Sequence, residues 1–234
     1  MSNVLEMKTL ITIVILFFSS ISLKADYLPL DLYGMILGAE KIAFGEITEL
    51  DTLTFTLKVE RNLTGQETEL EIDRFENWPC AHRWTNYKVG QHLFLFIVTR
   101  NGRLFSMGAG NEGELPIRNG LVYINSFSLD PPPPPRPDGK HNKTLEMDLI
   151  ESNRYKLYGG NYFGHETILE LFASTVKKIR NCFEISSGKY YQIKEVLIKC
   201  DEGDFDNEIE NNKLLSWAYI ELKKKSNSTE NIKK

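Results

Sequence analysis

The stretch His92-Leu-Phe-Leu-Phe-Ile-Val-Thr-Arg-Asn-Gly102 decides how the rest of this 234-residue chain is read. Leu93 to Val98 is an unbroken apolar run of strand length with no polar face. Such a run predicts a central strand buried on both sides rather than one with a wet face. Asn101-Gly102 follows at once. These two residues tolerate the positive φ angles that a two-residue hairpin loop demands. Arg103–Met107 is therefore the returning partner strand.

Working upstream, Ile42–Leu50 and Thr52–Arg61 are rich in β-forming residues, and the second alternates as Leu53, Phe55, Leu57, Val59. The Asp51 region supplies a tight turn between them, and Asn62-Leu-Thr-Gly65 supplies the next, before Glu67–Arg74 with Leu70 and Ile72 alternating. Before these strands, Asp31–Glu40 reads as a short amphipathic helix with Asp31 as N-cap and Leu32, Met35, Ile36 and Ala39 on one face. Residues 75–90 are irregular. Downstream, Gly108–Pro116 reads as a loop and Leu121–Phe127 as one more strand. The fold class is α+β: a small antiparallel β-barrel with a short N-terminal helix and a C-terminal helical cap.

The cap follows a break. Pro131 to Pro135, with Pro137 and Asp138-Gly139, form an extended, semi-rigid segment. A spacer is the plain reading, and docking to a proline-binding partner is the functional one. Glu166–Phe183 then carries Ile168, Leu169, Phe172, Val176, Ile179 and Phe183 on one helical stripe, with Lys177, Lys178 and Arg180 near its end, where the helix dipole favours cations. Asp204–Lys225 is a second helix candidate. The expected divisions are residues 1–25 as a signal peptide, 26–129 as the barrel, 130–140 as the linker, 141–222 as the helical element and 223–234 as a frayed basic tail.

Three segments, Ala39-Glu-Lys-Ile-Ala-Phe-Gly-Glu-Ile47, Phe55–Gly65 and Tyr87-Lys-Val-Gly-Gln-His-Leu-Phe-Leu-Phe96, carry a resemblance. Residues 31–125 look like secreted bacterial proteins that resemble the OB-fold shared by netrin modules and tissue inhibitors of metalloproteinases. The resemblance implies an OB-like barrel. In those inhibitors a Cys-x-Cys at the mature N-terminus offers its amine and carbonyl to the protease zinc. This chain has no Cys before Cys80, so the family's functional residues have no counterpart in it.

Leu10–Phe18 is an apolar run preceded by Lys8 and followed by Ser19 to Ala25. This is the layout of a secretory signal cut after Ala25, with an uncleaved anchor as the alternative. The run is short for a membrane span, so the mature form is expected to have none. Secretion or a periplasmic location follows. The whole chain has 28 Lys+Arg against 32 Asp+Glu, a net charge of −4, and removing residues 1–25 makes it −5. A generally basic nucleic-acid binder is excluded on that balance. Cys80, Cys182 and Cys200 are an odd set for an oxidising compartment. Cys182 with Cys200 is the preferred disulfide, although pairing of Cys80 with either remains open.

The densest chemical constellation is Asn77-Trp-Pro-Cys-Ala-His-Arg-Trp-Thr85. Trp78 and Trp84 can offer flat faces to a sugar, peptide or side chain, and Arg83 can clamp a carboxylate. The alternative is a loop pinned to the barrel, with Cys80 and a Trp in a satellite core. Gly108-Ala-Gly-Asn-Glu-Gly-Glu114 permits positive φ, but it has no Lys, and Glu112 and Glu114 repel phosphate, so it is no nucleotide site. The candidate binding residues are thus Trp78, His82, Arg83, Trp84, Asn111, Glu112 and Glu114.

No cofactor is implied. No metal-ligand spacing is present, with His92, His141 and His165 scattered, and the acidic run Asp201–Glu210 lacks the residue order of an EF-hand. No catalytic Ser motif appears, and Cys80 with His82 as base is a remote option. Asn62-Leu-Thr64, Asn142-Lys-Thr144 and Asn227-Ser-Thr229 match glycosylation acceptors, which matter only in a eukaryotic source.

Three functions follow. The leading one is a non-enzymatic exported module that binds a protein or extracellular ligand. The second is a protease inhibitor acting through the barrel rim. The third is a hydrolase using His82 with Glu112 or Glu114.

Overall fold

The computed structural model describes residues 29–78, 81–109, 112–129, 154–157, 162–201, 203, 205 and 212–227. The expected signal peptide, the proline linker, Cys80, Asn111 and most of the acidic run lie outside the described residues. So does the tail beyond Asn227.

Helix α1 (Leu32–Gly38) leads into strands β1 (Lys41–Leu50), β2 (Thr54–Asn62), β3 (Glu69–Asp73), β4 (His92–Arg100) and β5 (Arg103–Ser106). These five close into a barrel in the order β1-β2-β3-β5-β4, because β1 pairs with β4 as well as with β2. The β3–β5 contact is parallel, through Ile72–Leu104 and Asp73–Phe105, and the other barrel pairings are antiparallel. Residue types set this geometry at identifiable points. Asn101 (φ 52°) and Gly102 (φ 78°) form the positive-φ hairpin between β4 and β5. Gly45 sits at a register shift in β1, where a Cβ would lie 2.0 Å from the Lys58 carbonyl oxygen. Asn62 Oδ1 accepts the amides of Thr64 (3.1 Å) and Gly65 (2.8 Å), which turns the chain from β2 to β3 and commits this side chain internally.

Strand β4 explains its own apolar run. Leu93, Leu95 and Ile97 face the barrel interior with Ala43, Ile47, Phe55, Leu57, Leu70 and Ile72. Phe94, Phe96 and Val98 face outward into a second core. That outer core is covered by α1 and by helix α3 (Leu169–Cys182), whose Phe172 meets the Phe94 ring edge-on at 4.7 Å. The wall of the barrel is thus buried on both sides, and a strand with two dry faces has no reason to alternate.

The sheet continues from β4 into β6 (Glu114–Arg118), β7 (Leu121–Asn125), β9 (Tyr162–Ile168) and β8 (Arg154–Leu157), giving nine strands in all. A one-turn helix α2 (Ser126–Leu129) follows β7. The C-terminal part therefore contains strands as well as helices. Strand β9 pairs with β7 over Leu121–Asn125, which joins the chain on both sides of the proline segment into one sheet.

The segment Gly108–Pro116, expected to be loop throughout, ends inside β6. Pro116 suggests a break, yet only Ile117 and Arg118 of β6 pair with β7, so residue 116 lies where one neighbour is missing. Asn119 (φ 51°) and Gly120 (φ 75°) make a second hairpin of the same kind as Asn101-Gly102. The expected helix from Glu166 starts only at Leu169, because Glu166–Ile168 pair with β7.

Strands β10 (Phe183–Lys189) and β11 (Gln192–Ile198) form a hairpin after α3. The Cys182–Cys200 disulfide spans it, with Cα atoms 5.0 Å apart. Helix α4 (Lys213–Asn227) begins later than the expected Asp204 and continues through residues 223–227, which were expected to fray. Asn212 stands at its head, where Oδ1 accepts the Leu215 amide at 3.0 Å and Nδ2 donates to Thr175 Oγ1 at 2.7 Å.

Two charged residues act otherwise than expected. Asp31 stands before α1, but its side chain makes no capping bond. Burial raises its pKa, a hydrogen bond with Tyr33 opposing the shift. Arg180 reaches from α3 to the end of α1, donating to the carbonyls of Ile36 (2.9 Å) and Ala39 (2.7 Å). It satisfies the end of another helix rather than only balancing its own dipole.

Candidate functional site

The loops at 74–91 and 107–113 meet at one end of the barrel, and they present two different surfaces there. The inner surface is built on Glu114, the first residue of β6. Its Oε2 accepts Arg83 Nε at 2.6 Å, and its Oε1 accepts the Tyr87 hydroxyl at 2.7 Å and Ser106 Oγ at 2.9 Å. The Trp84 indole Nε1 donates to the Glu114 carbonyl at 3.2 Å. Arg83 also donates to the Thr85 carbonyl (2.6 Å) and to Gln91 Oε1 (3.3 Å), and its guanidinium lies 4.0 Å from the Trp84 ring centroid and 3.8 Å from that of Tyr87. The side chains of Arg83 and Glu114 are 2% and 0% exposed. Burial, reinforced by the Glu114 charge, pushes the Tyr87 phenol up, so it remains a protonated donor.

Arg83 therefore does clamp a carboxylate, and the carboxylate is internal. Both carboxylate oxygens of Glu114 are committed to donors of this chain, which leaves the group poorly placed to take a substrate proton. His82 points to solvent on the same loop. Glu112 is buried, and its Oε2 accepts the Leu30 amide at 3.1 Å. A carboxylate sealed in this way ties the 107–113 loop to the chain before α1. Gly108 (φ +72°) makes room for it, since a Cβ there would lie 2.2 Å from Glu112 Oε2.

The outer surface is a cleft of about 440 Å³, lined by Arg74, Phe75, Trp78, Arg100, Phe105, Tyr190 and Tyr191, with Asp73, Gly108 and Ala109 also in its lining. Trp78 is 38% exposed and Tyr191 is 56% exposed. Mutual backbone bonds of 3.0 Å join Trp78 to Ala81 and fix where the Trp78 backbone stands. Arg74 Nη1 donates to the Asp51 carbonyl at 2.7 Å. Tyr190 and Tyr191 form the two-residue tip of the β10–β11 hairpin, with their rings nearly perpendicular at 5.3 Å. That tip rests on α1: a Cβ on Gly38 would lie 2.1 Å from Tyr190 Cβ, and one on Gly34 would lie 2.5 Å from the Tyr190 carbonyl oxygen.

Of the candidates named from sequence, Arg83, Trp84 and Glu114 come together inside, Glu112 is buried beside the same loop, Trp78 lines the cleft, and His82 stands exposed. Sequence reading missed Arg74, Arg100, Phe105, Tyr190 and Tyr191. The Tyr-Tyr pair just after Gly188 carried a usable signal, because two adjacent aromatics at a hairpin tip cannot both turn to the core: Tyr190 packs against it and Tyr191 is left exposed. Among the described residues no group of three His, Cys, Asp or Glu is placed to hold a metal ion, and no helix is long and apolar enough to cross a membrane.

No family model, no curated protein and no solved structure matches this chain.

Proposed function

We propose that the protein is an exported, non-enzymatic binding module with an OB-like barrel, and that it takes a protein or extracellular ligand on the face carrying Trp78. The observation that carries this reading is the cleft itself, which combines exposed aromatic faces with arginines. Ligand sites are concave and mostly apolar, with a few polar groups that fix orientation. Beneath it, the carboxylate best placed for chemistry is consumed by the fold, which favours binding over catalysis.

The OB-like reading is supported by the five-strand closure, the β1-β2-β3-β5-β4 order and the short helix packed outside the wall. Export is supported by the Cys182–Cys200 disulfide, since such bonds persist in oxidising compartments.

Partner capture by the mature chain, beginning at Asp26, tests the surface. Both Trp78 and Tyr191 are exposed, so replacing them with Ala should change stability by no more than about 0.5 kcal/mol each. The expected result is loss of captured partners by Trp78→Ala/Tyr191→Ala, with an unchanged circular dichroism spectrum. An identical set of partners on the variant and the native chain defeats the proposal.

A further inference from the structure

The hairpin that walls the cleft carries an electrostatic peculiarity. Arg100 and Arg103 face each other directly across β4 and β5, on either side of Asn101-Gly102. Both guanidiniums lie against the same ring, 5.8 Å and 5.9 Å from the Phe105 centroid. Like charges directly opposite each other are unfavourable in a sheet. Arg103 is relieved by Asp73, whose Oδ1 accepts Arg103 Nη2 at 2.5 Å. Arg100 pairs with no carboxylate among the described residues, and it is the one of the two that lines the cleft. Asp73 also lines the cleft, but its carboxylate is taken by Arg103, so the Arg100 charge on its aromatic floor is left for an anion from outside.

Resting on the binding-module reading above, we infer that the partner is a peptide segment bearing an Asp or Glu, whose carboxylate docks on Arg100 while neighbouring apolar residues lie against Trp78 and Tyr191. Three observations favour a peptide. Trp, Tyr and Arg are the residues enriched at the energetic centres of protein–protein contacts, and all three are concentrated here. A guanidinium offers two parallel donors that match a carboxylate. A nucleic acid would require a basic tract along its backbone, whereas the chain without residues 1–25 has a net charge of −5.

Intrinsic fluorescence offers a direct readout, because the three tryptophans differ. Trp84 and Trp217 are 2% and 6% exposed, so acrylamide quenching reports mainly on Trp78 at 38%. The probes are acetylated, amidated octapeptides built on Asp-Pro-Asp-Leu, the same peptides with Asn for Asp, a deoxythymidine decamer and an oligogalacturonate. The acidic peptide should protect Trp78 from acrylamide. A charge-assisted bond implies binding about tenfold or more tighter than that of the Asn peptide, with a similar loss in Arg100→Gln.

Arg103→Gln serves as the control. Because Arg103→Gln alone would strip the counter-ion from Asp73, which lines the cleft, it is combined with Asp73→Asn, and that pair of changes should weaken binding less than Arg100→Gln. Equal affinity for the Asp and Asn peptides, no protection by the acidic peptide at 1 mM (roughly the weakest affinity worth calling specific), or preference for the oligonucleotide or the oligogalacturonate overturns the assignment. Equal binding of the Asp and Asn peptides, both lost in Tyr191→Ala, would sink the acidic assignment alone and leave the module standing. Partner capture unaffected by Trp78→Ala/Tyr191→Ala would remove both.

Discussion

Trp84 and Trp78 are six residues apart on one loop, and they have opposite fates. Trp84 lies under an arginine, donates its indole N–H to a backbone carbonyl and is buried. Trp78 is bridged to Ala81 by two backbone hydrogen bonds and lines the cleft. Aromatic and arginine side chains make up both surroundings. The difference lies in what completes them. Around Arg83, the chain itself supplies the carboxylate, the phenol and the carbonyls. Around Arg100, the chain supplies a ring and a neighbouring like charge. A binding surface and a structural pin can thus share one composition, and hydrogen-bond accounting separates them where residue type does not.

Unbalancing the inner cluster should have the largest effect. Glu114→Gln leaves the Arg83 charge buried without its counter-ion. Removing one partner of a buried pair costs about 3–5 kcal/mol. Urea unfolding should show the midpoint falling with an unchanged slope. Arg83→Met combined with Glu114→Leu should recover a large part of that loss, since no charge then stays stranded. If Glu114→Gln is as stable as the native chain, the cluster is not a pin, and the contrast with the cleft collapses.

A smaller effect is expected at the far wall of the cleft. Cys182 and Cys200, 18 residues apart, close a loop around the β10–β11 hairpin. A loop of that size is worth about 3 kcal/mol in the chain-entropy account. Cys182→Ser with Cys200→Ser should loosen the hairpin that carries Tyr190 and Tyr191, with earlier hydrogen exchange there than in β4. Exchange that accelerates equally in β4 and β11 would show that the two regions unfold as one unit and are not energetically distinct.

How legible was this in the sequence? The barrel strands were, because burial on one or both faces writes itself into alternation or into an apolar run. Phe55 and Leu57, set between Thr54, Thr56 and Lys58, do share the inner face that their alternation predicts. The helical stripe from Leu169 to Ile179 was legible for the same reason. Strand β6 was not, since Pro116 mimics a break, although Asn119-Gly120 repeats the hairpin signal used at Asn101-Gly102. The β10–β11 hairpin was missed because its buried residues do not alternate: Ile193 and Val196 are three apart, β10 carries register shifts, and Phe183 continues the helical stripe in sequence. The site was half legible. Trp78 and Arg83 were singled out together, but which of them turns inward depends on Glu114, 31 residues from Arg83, and no local pattern encodes that pairing.

The least effect is expected at an ion pair whose setting is the reverse of that of Arg83–Glu114. Lys41 and Glu67 also form a salt bridge, supported by Asn62 Nδ2 at 2.9 Å from Glu67 Oε2, but on the surface. The Lys41 bond, more than any other influence, lowers the Glu67 pKa to about 2. A carboxyl depressed in the folded state stabilises the fold above its unfolded pKa, near 4.5, and the contribution disappears as pH falls toward about 2. Glu67→Gln should therefore separate from the native chain slightly at neutral pH and converge with it in acid. Solvent and salt screen an exposed pair, so raising ionic strength should shrink the gap at neutral pH. The same salt should leave the Glu114→Gln deficit nearly intact, because that pair is shielded from ions by the barrel. A Glu67→Gln gap that resists salt as the Glu114→Gln gap does would mean that burial is not what distinguishes the two pairs.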